Sequence, residues 1–432
     1  MIQDIDVKAM KKNAFRVSKE RGMTASRVRV PGGLVSAKSM ARIVEIAEEY
    51  GRGEIFLTNR QGVEIPGIHM EDMPKVNEKL QAIIEDTKIN QEDTSQGYLA
   101  SGTRNVVACP GKRLCPFGCY DTTAFAQRMD HEIFPNNRHV KVAFTGCSND
   151  CAHVALNDFG IIGMTEPQYD PNRCIGCGQC VDWCQRRSVS ALRLEKGKVV
   201  RDEDRCIGCG VCVVYCPTRA WTRSPEHYFR VKIMGRTGKQ NPRLAQDWLR
   251  WVDEDSIVKI VKNTYAFIEE YIDPNAPEGK EHIGYIVDRV GFDEFCEWAL
   301  KDVELPEKCQ RATPEDAPLA QDLIDTLRSV EDGACLAANQ IGETKAVVVY
   351  LDDNGDAHVL YNPRVMMGLN ATRTVEGCLS HDEPSKVTRY AKVKVSYDEL
   401  VDGKFVPRRR DLTGWEAQMV QHMVDHCNGK LV

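Results

Sequence analysis

Between residues 36 and 51, SAKSMARIVEIAEEYG sets Met40, Ile43, Val44 and Ala47 on one face of a helix, with Gly51 as its stop. The next stretch, EIFLTNRQGVEIPGI (54–68), changes period: two β-rich runs flank Asn59 to Gly62, and with the helix they predict a small α+β unit. A Pro- and charge-rich stretch at 302–318 reads as a linker before a final segment of about 115 residues. That segment predicts a helix in LAQDLIDTLRSV (319–330) and a strand in KAVVVYLD (345–352). In AKVKVSYDEL (391–400) Val393, Val395 and Tyr397 share a face, and Asp402-Gly403 suits a hairpin turn. A closing helix, WEAQMVQHMVDHCNG (415–429), is expected to stop at Gly429. The pattern is α+β throughout.

Composition narrows the picture only slightly. A chain of 432 residues suffices for two or three domains, and a net charge of −6 gives no reason to expect nucleic acid or an anionic membrane as partner. The N-terminal stretch lacks the apolar core of a signal peptide, and no apolar run approaches the roughly 20 residues that span a bilayer. A cytoplasmic location is the expectation. Eighteen cysteines in such a chain point to metal ligation rather than disulfides.

The cysteines crowd between residues 109 and 216. Near copies 32 residues apart, CIGCGQCVDWC and CIGCGVCVVYC, place Cys174, Cys177, Cys180, Cys184 and then Cys206, Cys209, Cys212, Cys216 in the C-x2-C-x2-C-x3-C spacing of two-cluster bacterial ferredoxins. The fourth cysteine of each motif is expected to cross over, Cys216 joining the first three and Cys184 the second three. Evenly compressed, duplicated thiols argue against a pair of zinc sites. A second pattern precedes them: Cys109 and Cys115 in C-x5-C, Cys147 and Cys151 in C-x3-C, enough for a third cubane cluster, with Cys119 a spare thiol.

On these two pairs the sequence resembles the siroheme-dependent sulfite and nitrite reductase family. LTNRQGVEIPGI, TRNVVAC and RHVKVAFTGCSNDC extend the likeness, which covers about residues 1 to 305 and is nearest the anaerobic type with a ferredoxin insert. The resemblance implies three 4Fe-4S clusters and siroheme, with Cys151 shared between one cluster and the siroheme iron. It also assigns Arg60, Arg104 and Lys141 to the substrate anion, with His139 where the family commonly has a second lysine. The segment 235–245 offers Arg236, Lys239 and Arg243 to the macrocycle's carboxylates, without saying which of them contact it. The implied reaction is reduction of sulfite to sulfide, or of nitrite to ammonia. No G-x-G-x-x-G fingerprint is present, so electrons are expected from separate flavin or iron-sulfur subunits. A homodimer is a further expectation, because larger members carry two homologous halves. The third reading, from another class, is an electron-transfer protein without siroheme.

Residues 309–432 resemble peptide deformylase through GACLAANQIG, EGCLS and QHMVDH. The resemblance assigns Cys378, His422 and His426 to Fe(II) or zinc and Gln340 to the reaction's oxyanion; two histidines at i and i+4 share a helix face. The glutamate of H-E-x-x-H is Met423 here, and a thioether moves no proton. Cys335 stands in place of a glycine of the first motif. An active deformylase, a metal-binding domain without that activity and a metal-free domain are the readings, and the missing carboxylate favours the second.

The expected architecture is α+β multidomain. It comprises a ferredoxin-like half-domain (1–80), a siroheme and 4Fe-4S domain (81–168 and 221–305), an inserted two-cluster ferredoxin module (169–220) and a deformylase-like domain (311–432).

Overall fold

The structure, a computed structural model, describes residues 10–11, 13–91, 97–202, 205–224, 226–238, 242–276, 281–303, 305, 309–330, 333–379 and 381–429. Lys239 and most of the N-terminal stretch lie outside them. The chain divides into two compact units: residues 1–167, 178–216 and 223–304 form the first, and 168–177, 217–222 and 305–432 the second.

The first unit opens with a four-stranded antiparallel sheet, Phe15–Val17, Met23–Val28, Val63–His69 and Phe56–Leu57 in spatial order. Helix Ala37–Glu49, capped by the Ser36 hydroxyl accepting from the Ser39 amide at 3.0 Å, buries Ile43, Ile46 and Ala47. Val44, expected on the inward face, is 38% exposed, because the buried stripe follows Ile43, Ile46 and Ala47 instead. The core gathers these with Val63, Ile65, Ile68, Leu80 and Ile84.

A second sheet of five strands runs Gln246–Val252, Tyr228–Ile233, Phe159–Met164, Val142–Thr145, Val107–Ala108. The last three are mutually parallel, with Val107 opposite Ala143 and Ala108 opposite Phe144. Parallel neighbours deliver their C-terminal ends to one edge, so the chain beyond Ala108 and the chain beyond Thr145 emerge side by side.

The second unit carries a five-stranded antiparallel sheet, Cys335–Ala337, Val347–Leu351, Ala357–Cys378, His381–Val401, Lys404–Thr413. The expected hairpin is present: Val401 pairs with Lys404, and Asp402 and Gly403 both have positive φ, as a two-residue primed turn requires. Helix Gly414–Cys427 packs Ala417, Val420 and Met423 onto Val348, Tyr350, Val393 and Val395. It ends two residues before Gly429. Among the described residues no helix is long and apolar enough to cross a membrane.

Candidate functional site

Both expected cysteine pairs of the first unit sit at the sheet edge just described. The Cys109 amide donates to the Phe144 carbonyl at 3.1 Å, and the Gly146 amide donates to Cys109 Sγ at 3.1 Å. The loops approach through glycine: a Cβ on Gly146 would stand 3.1 Å from the Cα atoms of both Gly111 and Gly118. A side chain there would hold the loops apart. Burial pushes the Cys147 thiol up, and Cys115, Cys109 and Cys151 are close enough to push it the same way. Four thiols gathered this closely suit a metal cluster, whose charge removes their protons. Cys151 is exposed, Cys147 buried.

The segment Asn59–Gly62 locks onto the strand that leads to Cys109. Gln61 brackets Ala108, its Nε2 donating to the carbonyl at 2.7 Å and its Oε1 accepting from the amide at 2.8 Å. Arg60 donates through Nη2 to the Asn105 carbonyl at 2.8 Å and the Val142 carbonyl at 3.1 Å, and through Nη1 to Asn157 Oδ1 at 2.7 Å. Burial lowers its pKa to about 10, leaving it charged at neutral pH.

Arg60 and Arg104, far apart in sequence, line one cavity of about 310 Å³ together with Arg27, Arg29, Asn59, Tyr98 and Asn105, and no acidic side chain is among the described residues that line it. Burial, then Arg27 and Arg29, lower the Arg104 pKa. Such a cavity suits an anion. Arg29 is committed elsewhere: its Nε donates to both Asp130 oxygens at 3.1 and 3.0 Å, its Nη1 to the Thr103 carbonyl at 3.0 Å. Arg27, Arg29 and Asn105 carried no sequence signal, since isolated basic and amide residues look like surface.

Lys141 does not line that cavity, although burial lowers its pKa and Asp158, Arg60 and Arg104 all act on it. His139 stands edge-on to His282, ring centroids 4.3 Å apart, rather than in the arginine group. Arg243 Nη1 donates to Asp288 at 2.8 Å, and the Arg236 guanidinium, also bonded to Asp288, lies 3.8 Å over the Tyr285 ring.

Of the ferredoxin-spaced cysteines, Cys180, Cys184, Cys206, Cys209, Cys212 and Cys216 belong to the first unit, Cys174 and Cys177 to the second. Burial pushes the Cys212 thiol up, and Cys209, Cys206, Cys180 and Cys184 add to it. Cys180 and Cys184 thus both lie within electrostatic reach of Cys212. In the second unit the Gly176 amide donates to Cys174 Sγ at 3.4 Å.

The spare thiol, Cys119, is 3% exposed and accepts a hydrogen bond from Arg223 Nη1 at 3.2 Å. Burial pushes it up to about 12, so it stays protonated.

In the second unit Cys378 Sγ lies 3.2 Å from His426 Nε2, which lies 3.1 Å from His422 Nε2, and the three ligand atoms fall within 4.8 Å of one another. Gln340 Nε2 approaches Cys378 Sγ at 3.7 Å. Behind them, His422 Nδ1 meets Glu376 Oε2 at 2.9 Å; Glu376 accepts from Arg389 at 2.8 and 2.6 Å, and Arg389 also binds Asp425. Burial would raise the Glu376 pKa, but His422 and Arg389 override it and hold the carboxyl down at about 2. A carboxylate fixing the far nitrogen of a ligating histidine is the usual support of a metal site. Glu376 opens the EGCLS motif, whereas Arg389 and Asp425 had no signal of their own. Met423 is 1% exposed and belongs to the apolar core.

Two comparisons with known proteins bear on this layout. Residues 16–83 match the nitrite/sulfite reductase ferredoxin-like half domain, 99–308 the nitrite and sulphite reductase 4Fe-4S domain, and 299–432 polypeptide deformylase. A subunit of the anaerobic sulfite reductase of Salmonella typhimurium is 42% identical over 311 residues, 70% of this chain and 91% of that protein. Peptide deformylase 2 of Vibrio cholerae is 41% identical over 116 residues, 26% of this chain and 67% of that protein. The chloroplastic ferredoxin–nitrite reductase of Zea mays is more distant, 30% identical over 155 residues, 35% of this chain and 26% of that protein. The chain belongs to the family of that anaerobic sulfite reductase polypeptide, among the nitrite and sulfite reductases, and carries a C-terminal peptide deformylase domain.

Proposed function

We propose that this protein is the catalytic subunit of a siroheme-dependent sulfite reductase, reducing sulfite to sulfide with electrons delivered one at a time by other subunits. The observation that carries the reading is the meeting of the Cys109/Cys115 and Cys147/Cys151 loops at one sheet edge, tied by Gly146 and Gln61 to the segment that holds Arg60. Siroheme and its coupled cluster supply the six-electron chemistry that no side chain can. The chain's own part is holding and charge. Cys109, Cys115, Cys147 and Cys151 would hold the coupled cluster, Cys151 being the shared ligand. The ferredoxin-type cysteines would hold two more clusters that store incoming electrons. Arg104 binds and orients the anion, and Arg60, whose guanidinium is held by Asn105, Val142 and Asn157, adds a fixed charge beside it; the two charges offset negative charge that grows as S–O bonds break. Lys141, with its ammonium pKa lowered by burial, is the group best able to give up a proton to departing water.

Sulfite is preferred over nitrite because the 42% identical relative belongs to a sulfite reductase and is matched over nearly its whole length. The test is anaerobic purification with siroheme and iron-sulfur reconstitution, then viologen-driven turnover. Sulfide production with siroheme absorption is the expected result; cluster absorption without siroheme uptake would reduce the protein to an electron carrier.

For the second unit, the reading is a metal-binding domain without deformylase activity. Cys378, His422 and His426 form the ligand set, and Gln340 keeps its place beside Cys378, but no carboxylate stands at position 423. Formyl-peptide turnover by the full chain, beside Met423→Glu, tests it. Appreciable activity of the unaltered chain would overturn it.

A further inference from the structure

Cys119 and Arg223 have no part in the ligand sets above, yet they join two of them. Arg223 reaches the loop between Cys115 and Cys119 with both ends of its fork: Nη1 donates to Cys119 Sγ at 3.2 Å and Nη2 to the Pro116 carbonyl at 2.8 Å. Its other side lies on the second ferredoxin-type motif, where a Cβ on Gly210 would come 2.5 Å from Arg223 Nη1. Gly210 follows Cys209 directly and is left-handed, φ 70°, a conformation that favours glycine, and without a Cβ it leaves room for the guanidinium. The same motif is fastened to the central sheet by the Thr165 amide donating to the Gly208 carbonyl at 2.8 Å.

From Cys119 the path continues without a gap. Its amide donates to the Gly146 carbonyl at 2.8 Å, and the Gly146 amide donates to Cys109 Sγ at 3.1 Å. The bonded sequence from Arg223 through Cys119 and Gly146 ends on a ligand of the coupled cluster, while Arg223 lies close against the Gly210 loop. A second contact reaches the same loop: the Phe117 ring stands 6.1 Å from Tyr215, which stacks on Trp183 at 4.0 Å. It is apolar and carries no charge.

Resting on the sulfite reductase reading, we infer that the Arg223–Cys119 contact is the electron exit from the ferredoxin-type segment to the siroheme-coupled cluster. The donor is the cluster of Cys206, Cys209, Cys212 and Cys184, the acceptor that of Cys109, Cys115, Cys147 and Cys151. In each passage the donor cluster is oxidised by one electron and the acceptor reduced by one. No bond breaks, no proton moves, and the electron is replaced upstream by a low-potential one-electron donor. Arg223 is a positioning residue: it fixes the two loops against each other, and its permanent charge favours the reduced form of both flanking clusters. Cys119 supplies a polarisable, buried acceptor for that guanidinium where a charged side chain would compete with the clusters.

The test uses the full chain, reconstituted with iron, sulfide and siroheme, as wild type, Arg223→Met, Arg223→Lys, Cys119→Ala and Phe117→Leu. Iron, sulfide and siroheme contents are compared first. Redox titration followed by electron paramagnetic resonance should then show Arg223→Met lowering the potentials of the coupled cluster and of one ferredoxin-type cluster, with the other unmoved. Arg223→Lys should restore the potentials. After mixing with reduced viologen and freeze-quenching, reduction of the coupled cluster should slow by roughly tenfold in Arg223→Met, the order expected for losing one close charge in a partly buried site. Cys119→Ala should slow it less. Unchanged potentials and rates in a fully loaded Arg223→Met, or slowing confined to Phe117→Leu, would overturn the inference. If Arg223→Met fails to load, Cys119→Ala and Arg223→Lys decide it by the same two readouts. A wild type that loads all three clusters but produces no sulfide defeats the functional reading instead, while the potentials still report on the bridge.

Discussion

The two candidate ligand sets of this protein are built in opposite ways. In the reductase half, four thiols come from two loops at the end of a parallel sheet, and the loops meet through close glycine contacts and backbone amides. Cys151, the ligand proposed to be shared, is exposed. In the deformylase half the set is assembled already: Cys378, His422 and His426 converge, and Glu376, Arg389 and Asp425 stand behind them in a bonded chain. On the proposed function the first site is a socket whose remaining interactions belong to a large cofactor. The second, as proposed, would need a single ion to complete it, and Met423 stands where the resemblance to peptide deformylase places a glutamate. Ligand support and catalytic competence are separable, because the support depends on burial and packing while proton transfer depends on one titratable atom.

That contrast can be broken by substitution. The largest effect is expected from Cys151→Ser in the reconstituted chain: loss of sulfide production and of the siroheme-coupled spectrum, with Zn(II) binding by the deformylase half unchanged. Next, Arg29→Met leaves Asp130 buried and unpaired and should cost about 3–5 kcal/mol. Denaturant unfolding should shift the transition of the reductase half alone. Arg389→Met is its counterpart; stranding Glu376 and Asp425, it should move only the other transition, by a comparable amount. Glu376→Gln frees the far nitrogen of His422 and should weaken metal binding by roughly 10–100-fold. Competition with a chromophoric zinc chelator measures it, and unaltered affinity would mean that the bonded chain behind the ligands is idle. The smallest effect is expected from Arg128→Ala, whose partners Glu254 and Asp255 are solvent-accessible; the cost should stay below about 1 kcal/mol and vanish in high salt.

Much of this was legible along the chain. The helix at 37–49, the paired runs around 59–62 and the Asp402-Gly403 turn follow from local periodicity and turn chemistry, which act over a few residues. Motif spacing named the clustered cysteines for the same reason, since ligands to one centre must be close and short loops leave a record in the spacing; the Cys378/His422/His426 set came from the resemblance to peptide deformylase, with only the i, i+4 histidines legible as spacing. Val44 shows the limit. The apolar period admitted it to the buried face, and only the direction in which the helix meets its sheet excluded it.

Sequence by itself thus determined which elements form, which residue types can hold metal, and that a carboxylate is missing at 423. Tertiary structure alone decided that Arg27, Arg60 and Arg104 share a cavity, that Lys141 and His139 stand apart from it, and that Arg389 braces Glu376 behind His422. It also turned a spare thiol, Cys119, into a contact between two cysteine motifs. The physical reason is distance along the chain. A charge partner or a bridging guanidinium tens of residues away is selected by how sheets and loops pack, and packing is not written in any local pattern.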